Sequence, residues 1–390
     1  MKNYQSIEGL RAWLAWWVVI FHVFQVTALP GWVPAKAAKV LMTSATPVYL
    51  FVIISGFVIT HLLLAKQQSY GPYIVRRLMR IAPVYLFCLV LALATIGMSW
   101  FFYVELPATE LGSKTAHAAT LTAFADAPVA HTLAHLTLMH GLIPDNVWPY
   151  FANNTIVGPA WSLSLEWQFY LIAPFLLLFL RKSHVYAVVT LVLMFVVGVV
   201  TRRLMLTSFL LPSLLILCLQ WFAIGIGSRL VMEVLRKRNV TLSASVLFAV
   251  LAIPCVLIKS RELLVWSLWM TFILAEDGRL RPSKVWHRLA QVLATNPAVR
   301  TLGRASYSTY LVHLPLFAIV GYVWHAFSPI DSVPELQAML ALSIPVIAIA
   351  SLAMYRWIEK PGIRLGVAWA KRLESRQPVV ADAAVSAKGP

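Results

Sequence analysis

The sequence predicts an all-α polytopic membrane protein, a bundle of about ten transmembrane helices with both termini in the cytoplasm. Three observations carry that expectation. Only 12% of the 390 residues are charged while 60% are hydrophobic, whereas a soluble chain of this size is about a quarter charged. Apolar runs of bilayer-crossing length recur from one end of the chain to the other. The basic residues gather at the ends of those runs, mostly on one side.

The runs fall near 9–29, 47–65, 81–103, 160–180, 185–201, 209–228, 241–258, 262–275, 306–327 and 336–358, and the 262–275 run is short for a span. With the N-terminus in the cytoplasm, seven of the 32 Lys and Arg residues fall on the far side: Lys36, Lys39, Lys114, Arg202, Arg203, Lys259 and Arg261. The other 25 face the cytoplasm, as the positive-inside rule requires. The same clustering accounts for the net charge of +17 without nucleic acid, which is not expected as a partner; membrane lipid is. No cleavable signal peptide is evident before or after the first run. Cys88, Cys218 and Cys255 lie apart inside predicted spans, and they form neither a disulfide framework nor a metal signature.

One external segment is long, 104–158, and it carries His117, His131, His135 and His140. The i,i+4 spacing of His131 and His135 suits a metal on a helix. No Glu follows His131, however, and no thiolate is near, so these are read as solvated loop histidines and no metal site is expected. Residues 1–362 are expected to form the transmembrane domain. The tail, 363–390, is basic and then Ala/Val/Pro-rich, a cytoplasmic surface helix fraying into disorder.

The first run holds three ionisable groups, Glu8, Arg11 and His22. At 100° per residue all three share one face, with His22 about 16 Å beyond Arg11 along the axis. A charge at bilayer depth is costly by roughly 2.5–3.5 kcal/mol, so this stripe is a candidate site. The alternative is a positive-inside anchor, Arg11, with Glu8 as its surface partner and His22 satisfied by a neighbouring helix. Ser55 and Glu166 enter their spans from outside and, counted at 1.5 Å per residue, reach the depth of His22. A His–carboxylate pair is the smallest general-base device, so Glu166 is expected to hold His22. The competing role for Glu166 is a buried helix contact helped by Ser162.

At the cytoplasmic start of the third run stand Arg76, Arg77 and Arg80. A charge run there is commonly a topology anchor, yet three guanidinium forks also suit phosphates. Tyr307, Tyr310 and His313 fan over one face of the run beginning at Ser306. His313, about 10 Å from the inner surface, is expected to lie too far from His22 to pair with it. With the arginines it makes an inner anion pocket.

Six blocks then line up. They are Ser6-Ile7-Glu8-Gly9-Leu10-Arg11-Ala12 with Phe21-His22, Phe51 to Phe57, Arg77-x-x-Arg80, Trp161-Ser162-Leu163-Ser164-x-Glu166, Ser306-Tyr307-Ser308-x-Tyr310-Leu311-x-His313-x-Pro315, and Glu359-Lys360-Pro361. Each is loose, but their order resembles the acyltransferase-3 family of integral membrane proteins, over residues 6–361. The resemblance implies a multi-pass protein of the bacterial inner membrane that O-acylates glycans, such as O-antigen, exopolysaccharide or peptidoglycan, or a lipid-linked saccharide. It implies cytoplasmic acetyl-CoA or another acyl-CoA as co-substrate, with no permanently bound cofactor. By position it makes His22 catalytic, and it assigns Arg11, Arg77 and Arg80 to the donor or the passage for its acyl arm. Some relatives append an external SGNH-type esterase domain; none is expected here.

On that implication the CoA phosphates dock at Arg76, Arg77 and Arg80, with Tyr310 and His313 alongside, and the pantetheine arm passes Arg11. His22 then takes the proton of a sugar hydroxyl. Glu8, Ser55, Trp161, Ser162 and Tyr307 are supporting residues, with Ser55, Ser162 or backbone steadying the oxyanion. The rival reading is a transporter of an anionic or proton-coupled substrate, with Glu8, Arg11, His22 and Glu166 as a relay; no inverted repeat favours it. A non-catalytic scaffold is the third.

Overall fold

In lipid, a long apolar segment can satisfy its backbone only as a helix or a closed barrel, and these segments lack the alternation of barrel strands. The computed structural model describes residues 4–376 apart from 28, 30–32, 66–67, 108–110, 206–207 and 258. It is built of α1 (Gln5–Thr27), α2 (Ala35–Leu41), α3 (Ala45–Ala65), α4 (Tyr70–Ala94), and α5 (Ile96–Trp100) running into a π-turn, Phe101–Glu105. There follow α6 (Leu111–Asp126), α7 (Pro128–Leu136), α8 (Trp161–Leu180), α9 (His184–Leu204), α10 (Leu219–Lys237), α11 (Ala244–Leu257) and α12 (Arg261–Glu276). The chain ends with α13 (Lys284–Leu293), α14 (Pro297–Arg304), α15 (Ser306–Phe327), α16 (Val333–Met354) and α17 (Lys360–Arg376). A two-residue parallel pair, Leu242–Ser243 with Leu280–Arg281, clips the segments flanking α11 and α12 together.

Helix starts follow local chemistry. Ser183, Ser260, Ser283 and Asn296 each accept a backbone N–H at the start of α9, α12, α13 and α14, and Ser332 with Glu335 closes a capping box on α16. Such caps satisfy donors that the first turn leaves orphaned.

Each of the ten apolar runs contains a helix. Eight helices among the described residues are long and apolar enough to cross a membrane. The other two runs correspond to α11, 14 residues, and α12, 16 residues, below the span of about 20 that a bilayer demands. The interior lies between α3, α4, α8, α10 and α15, where Ile53, Val84, Leu165, Phe222 and Leu311 are fully buried. Two glycines set the registers. A Cβ on Gly225 would strike the Ile53 backbone of α3, and one on Gly303 would strike the Glu8 carbonyl of α1. Conversely, α9 turns Val185, Val188, Val192 and Val196 outward, a face that lipid tolerates and water would not.

Two expectations are corrected. The third span begins at Tyr70, not 81, so its arginines stand well inside a helix. The apolar pattern missed this because the first turns of α4 are amphipathic.

The external histidines are not solvated. His131, His135 and His140 are fully buried, because the segment folds back onto the bundle. Gly141 N–H donates to Ser164 Oγ (3.1 Å), and Ser213 Oγ donates to the Gly141 carbonyl (2.9 Å). Asp145 accepts from Asn153 Nδ2 (2.7 Å) and the Leu210 N–H (2.6 Å). Burial still raises the Asp145 carboxyl above its ordinary value despite both donors. Burial also pushes the His140 imidazole down to about 4. No group of three His, Cys, Asp or Glu side chains with metal-binding geometry occurs among the described residues.

The first part of the tail is a helix packed on the bundle. α17 continues from α16 through the π-turn Tyr355–Glu359, straight across residue 362. It lies along α4, with Gly362 against Pro83 and Met79 and an Arg76–Glu374 ion pair at 2.8 Å. The stretch expected to be disordered, 377–390, lies outside the described residues.

Candidate active site

A cavity of about 350 Å³ is walled by helix segments from six spans, with Phe222 of α10 in its apolar lining. The opening turns of α1 supply Glu8 and Arg11, and α3 supplies Ser55 and His61. Arg77 and Arg80 come from α4, Ser162, Glu166 and Tyr170 from α8, and Tyr307 and Tyr310 from α15. Four of these spans, α1, α3, α4 and α15, contribute the end that the positive-inside count assigns to the cytoplasm.

The chamber is an unbalanced set of charges. Arg11, Arg77 and Arg80 have no hydrogen-bond acceptor and no ion-pair partner among the described residues, and Arg77 Nε is sealed without one. The Arg77 guanidinium lies over the Tyr170 ring, 5.8 Å from its centroid. Glu166 and Glu359 are within electrostatic reach of Arg11 and Arg80, and Glu166 of Arg77. Both carboxylates are already hydrogen-bonded. Glu166 accepts from Ser55 Oγ (3.2 Å) and, through a short bond, from the Tyr170 hydroxyl; Glu359 accepts from Ser308 Oγ (2.9 Å). Three guanidiniums against two carboxylates leave an excess of positive charge facing a cavity. Buried cations without hydrogen-bonded partners are expensive, and an anionic ligand with several oxygens is the remedy that guanidinium geometry suits.

Other predicted residues are placed differently. Arg76 donates to Gln68 (2.7 Å) and pairs with Glu374, so it does not line the chamber. Glu8 does line it, but pairs with Arg300 (3.3 Å) and Arg304 (3.5 Å) and not with Arg11. Tyr307 donates to the Ile81 carbonyl (2.7 Å), and Tyr310 shares a 2.8 Å hydrogen bond with Ser162. Trp161 packs in the apolar core. The expected oxyanion donors are engaged, Ser55 with Glu166 and Ser162 with Tyr310 and the Pro159 carbonyl.

His22 lies beyond the chamber along α1, and two geometric expectations about it are overturned. Glu166 is not its partner; that carboxylate belongs to the arginine chamber with Ser55 and Tyr170. His313 is not too far away: its Nε2 is 3.1 Å from His22 Nδ1, with ring centroids 5.0 Å apart. Both errors have one cause, counting depth from where the sequence turns apolar. The segment before α8 is buried, with Ala160 fully so, and α15 starts from a buried Ala305 behind a Gly303 pressed onto Glu8. Both helices therefore begin inside the bundle, and their residues reach further than the count allows. Tyr310 lines the chamber, and its ring is 6.4 Å from that of His313.

Sequence reasoning missed Tyr170 and Glu359 as site residues. The i,i+4 step from Glu166 to Tyr170 was a usable signal. Glu359 stood in the closing block, but nothing local said that it faced Arg80.

The family model described as an acyltransferase domain matches residues 4–355. The chain belongs to the acyltransferase-3 family. With its eight spanning helices it is a multi-pass membrane acyltransferase. No curated protein and no solved structure matches the chain.

Proposed function

We propose that this acyltransferase moves an acyl group, acetyl by the family resemblance, from cytoplasmic acyl-CoA to a hydroxyl of an extracytoplasmic glycan or lipid-linked saccharide at the bacterial inner membrane. The observation that supports it most is the trio of guanidiniums without hydrogen-bonded partners among the described residues, Arg11, Arg77 and Arg80, in a chamber lined by Tyr310, whose ring is 6.4 Å from that of His313, the neighbour of His22. Donor phosphates lie against Arg77 and Arg80. Arg11 flanks the pantetheine arm, and Glu166 and Glu359 hold the guanidiniums apart and limit the positive charge when the donor leaves. The thioester passes the Tyr310–Ser162 contact toward His22.

His22 then takes the proton of the acceptor hydroxyl through Nε2, which has no hydrogen-bond partner among the described residues. The alkoxide attacks the thioester carbonyl, the tetrahedral intermediate expels the CoA thiolate, and the thiolate recovers the proton from the imidazolium. General-base assistance of this kind contributes about 100- to 10,000-fold. The test uses membrane vesicles carrying the chain and labelled acetyl-CoA. Label on envelope glycan that disappears in His22→Ala supports the reading. Uptake of label without transfer would point to transport instead.

A further inference from the structure

The His22–His313 contact can be assigned atom by atom. His313 Nδ1 lies 3.2 Å from the Thr309 carbonyl, and a carbonyl can only accept, so the Nδ1 proton of His313 is committed there. In the neutral ring Nε2 is then a bare lone pair. That lone pair faces His22 Nδ1 at 3.1 Å, and the same Nδ1 lies 2.8 Å from the Val18 carbonyl. Two acceptors on one nitrogen require it to carry the proton. His22 is thereby fixed as the Nδ1–H tautomer, with Nε2 left bare. His313 is fully buried, and the Phe317 ring, 6.0 Å from its own, flanks it. It lines no part of the arginine chamber.

From this geometry we infer that His313 is the positioning residue of the reaction, holding His22 with Nε2 bare and sharing the proton that His22 gains. The inference rests on His22 being the base. It puts His313 in the place that a carboxylate fills in a Ser-His-Asp triad, behind the base and away from substrate. A neutral imidazole there costs less to bury than a carboxylate. When His22 Nε2 takes the hydroxyl proton, the Nδ1 proton moves toward His313 Nε2, and the positive charge spreads over both rings. It returns when the thiolate takes a proton from Nε2. No bond outside the transfer itself is made or broken. Val18 holds the tautomer in the resting state, but its carbonyl cannot accept a proton outright, so only His313 shares the charge.

The experiment compares His313→Leu, His313→Gln and His22→Ala in membrane vesicles, with labelled acetyl-CoA as donor and the endogenous envelope glycan as acceptor. A glutamine amide oxygen can reach the position of Nε2 and accept from His22; leucine fills the space without accepting. His313→Leu should lower kcat about 100-fold with the donor KM unchanged, and His313→Gln should recover at least a tenth of wild-type turnover. A leucine variant within about threefold of wild type overturns the inference, as does a glutamine variant no better than leucine. His22→Ala separates the layers: if it stays active, the base assignment itself has failed; if it is inactive while leucine at 313 works, only the role of His313 has. A 15N spectrum of histidine-labelled wild-type protein checks the tautomer without any variant. A protonated Nε2 on His22 at neutral pH, with Nδ1 bare, would also overturn it.

Discussion

Two pairs of histidines meet in this acyltransferase in opposite ways. His22 and His313 meet nitrogen to nitrogen, with a carbonyl at each Nδ1 and one bare nitrogen, His22 Nε2, that is not sealed away. His135 and His140 meet face to face, centroids 4.2 Å apart and planes within 3°. There each ring spends one nitrogen on a carbonyl, of His131 or Ala160, and the other nitrogens, His135 Nε2 and His140 Nδ1, are sealed without partners. His313, His135 and His140 are all fully buried, so burial alone does not tell the two pairs apart. What differs is where the spare lone pair points. In the first pair it is not sealed; in the second it faces protein.

The largest effect that would break this contrast is at His22. His22→Ala should reduce acyl transfer by about 1,000-fold or more while leaving insertion and expression intact, as labelled-acetyl transfer and a membrane blot would report. His135→Phe should instead cost stability and leave turnover within a few-fold of wild type. Equal losses of turnover in the two variants would erase the distinction drawn between the pairs.

Next in size is the chamber. Arg77→Ala and Arg80→Ala should each raise the donor KM about 10- to 100-fold, the worth of a charge-assisted hydrogen bond, with a smaller effect on kcat at saturating acyl-CoA. An unchanged donor KM in both would remove the phosphates from this site.

The stacked pair makes a prediction of its own, in pH. Burial holds His140 at about 4 in the folded protein against 6.5 unfolded, and it depresses His135 further in the same direction, with the neighbouring His140 as the second cause. Between those values the unfolded chain binds more protons than the folded one. Stability is therefore complete above pH 6.5 and is lost as pH falls toward 4, by about 3 kcal/mol for His140 alone. The Tm in detergent should drop between pH 7 and pH 5, and His140→Phe, which keeps the stack, should flatten that slope.

Much of the architecture was legible because lipid leaves so few options. Apolar runs had to be helices, their basic ends set the orientation, and each of the ten contains a helix. The chemistry-bearing residues of the site were legible as types for the same reason, since Glu166, Arg11 and His22 have no cheap place in an apolar run. Their pairing was not. Depth counted along one helix assumes that every helix starts at the membrane surface. α8 and α15 start from buried turns, Ala160 and Ala305, which shifted Glu166 into the arginine chamber and brought His313 onto His22. Such offsets are tertiary facts, carried by contacts such as Gly303 on Glu8 that no local pattern announces.

Arg76 gives the finest test of that distinction, and the smallest effect. It sits beside Arg77 in sequence and would serve the donor equally well if the basic cluster acted as a whole. The helix turns it about 100° away, onto Gln68 and Glu374 of the tail helix, where its side chain retains only 14% exposure. Arg76→Ala should leave the donor KM within about threefold of wild type and cost on the order of 1 kcal/mol in stability, as expected for a partly exposed ion pair. Glu374→Ala should reproduce that stability loss, and the double variant should lose less than the two singles together because they remove the same contact. A rise in donor KM matching that of Arg77→Ala would mean that the phosphates read the whole arginine cluster, and the separation between chamber and tail contact would fall.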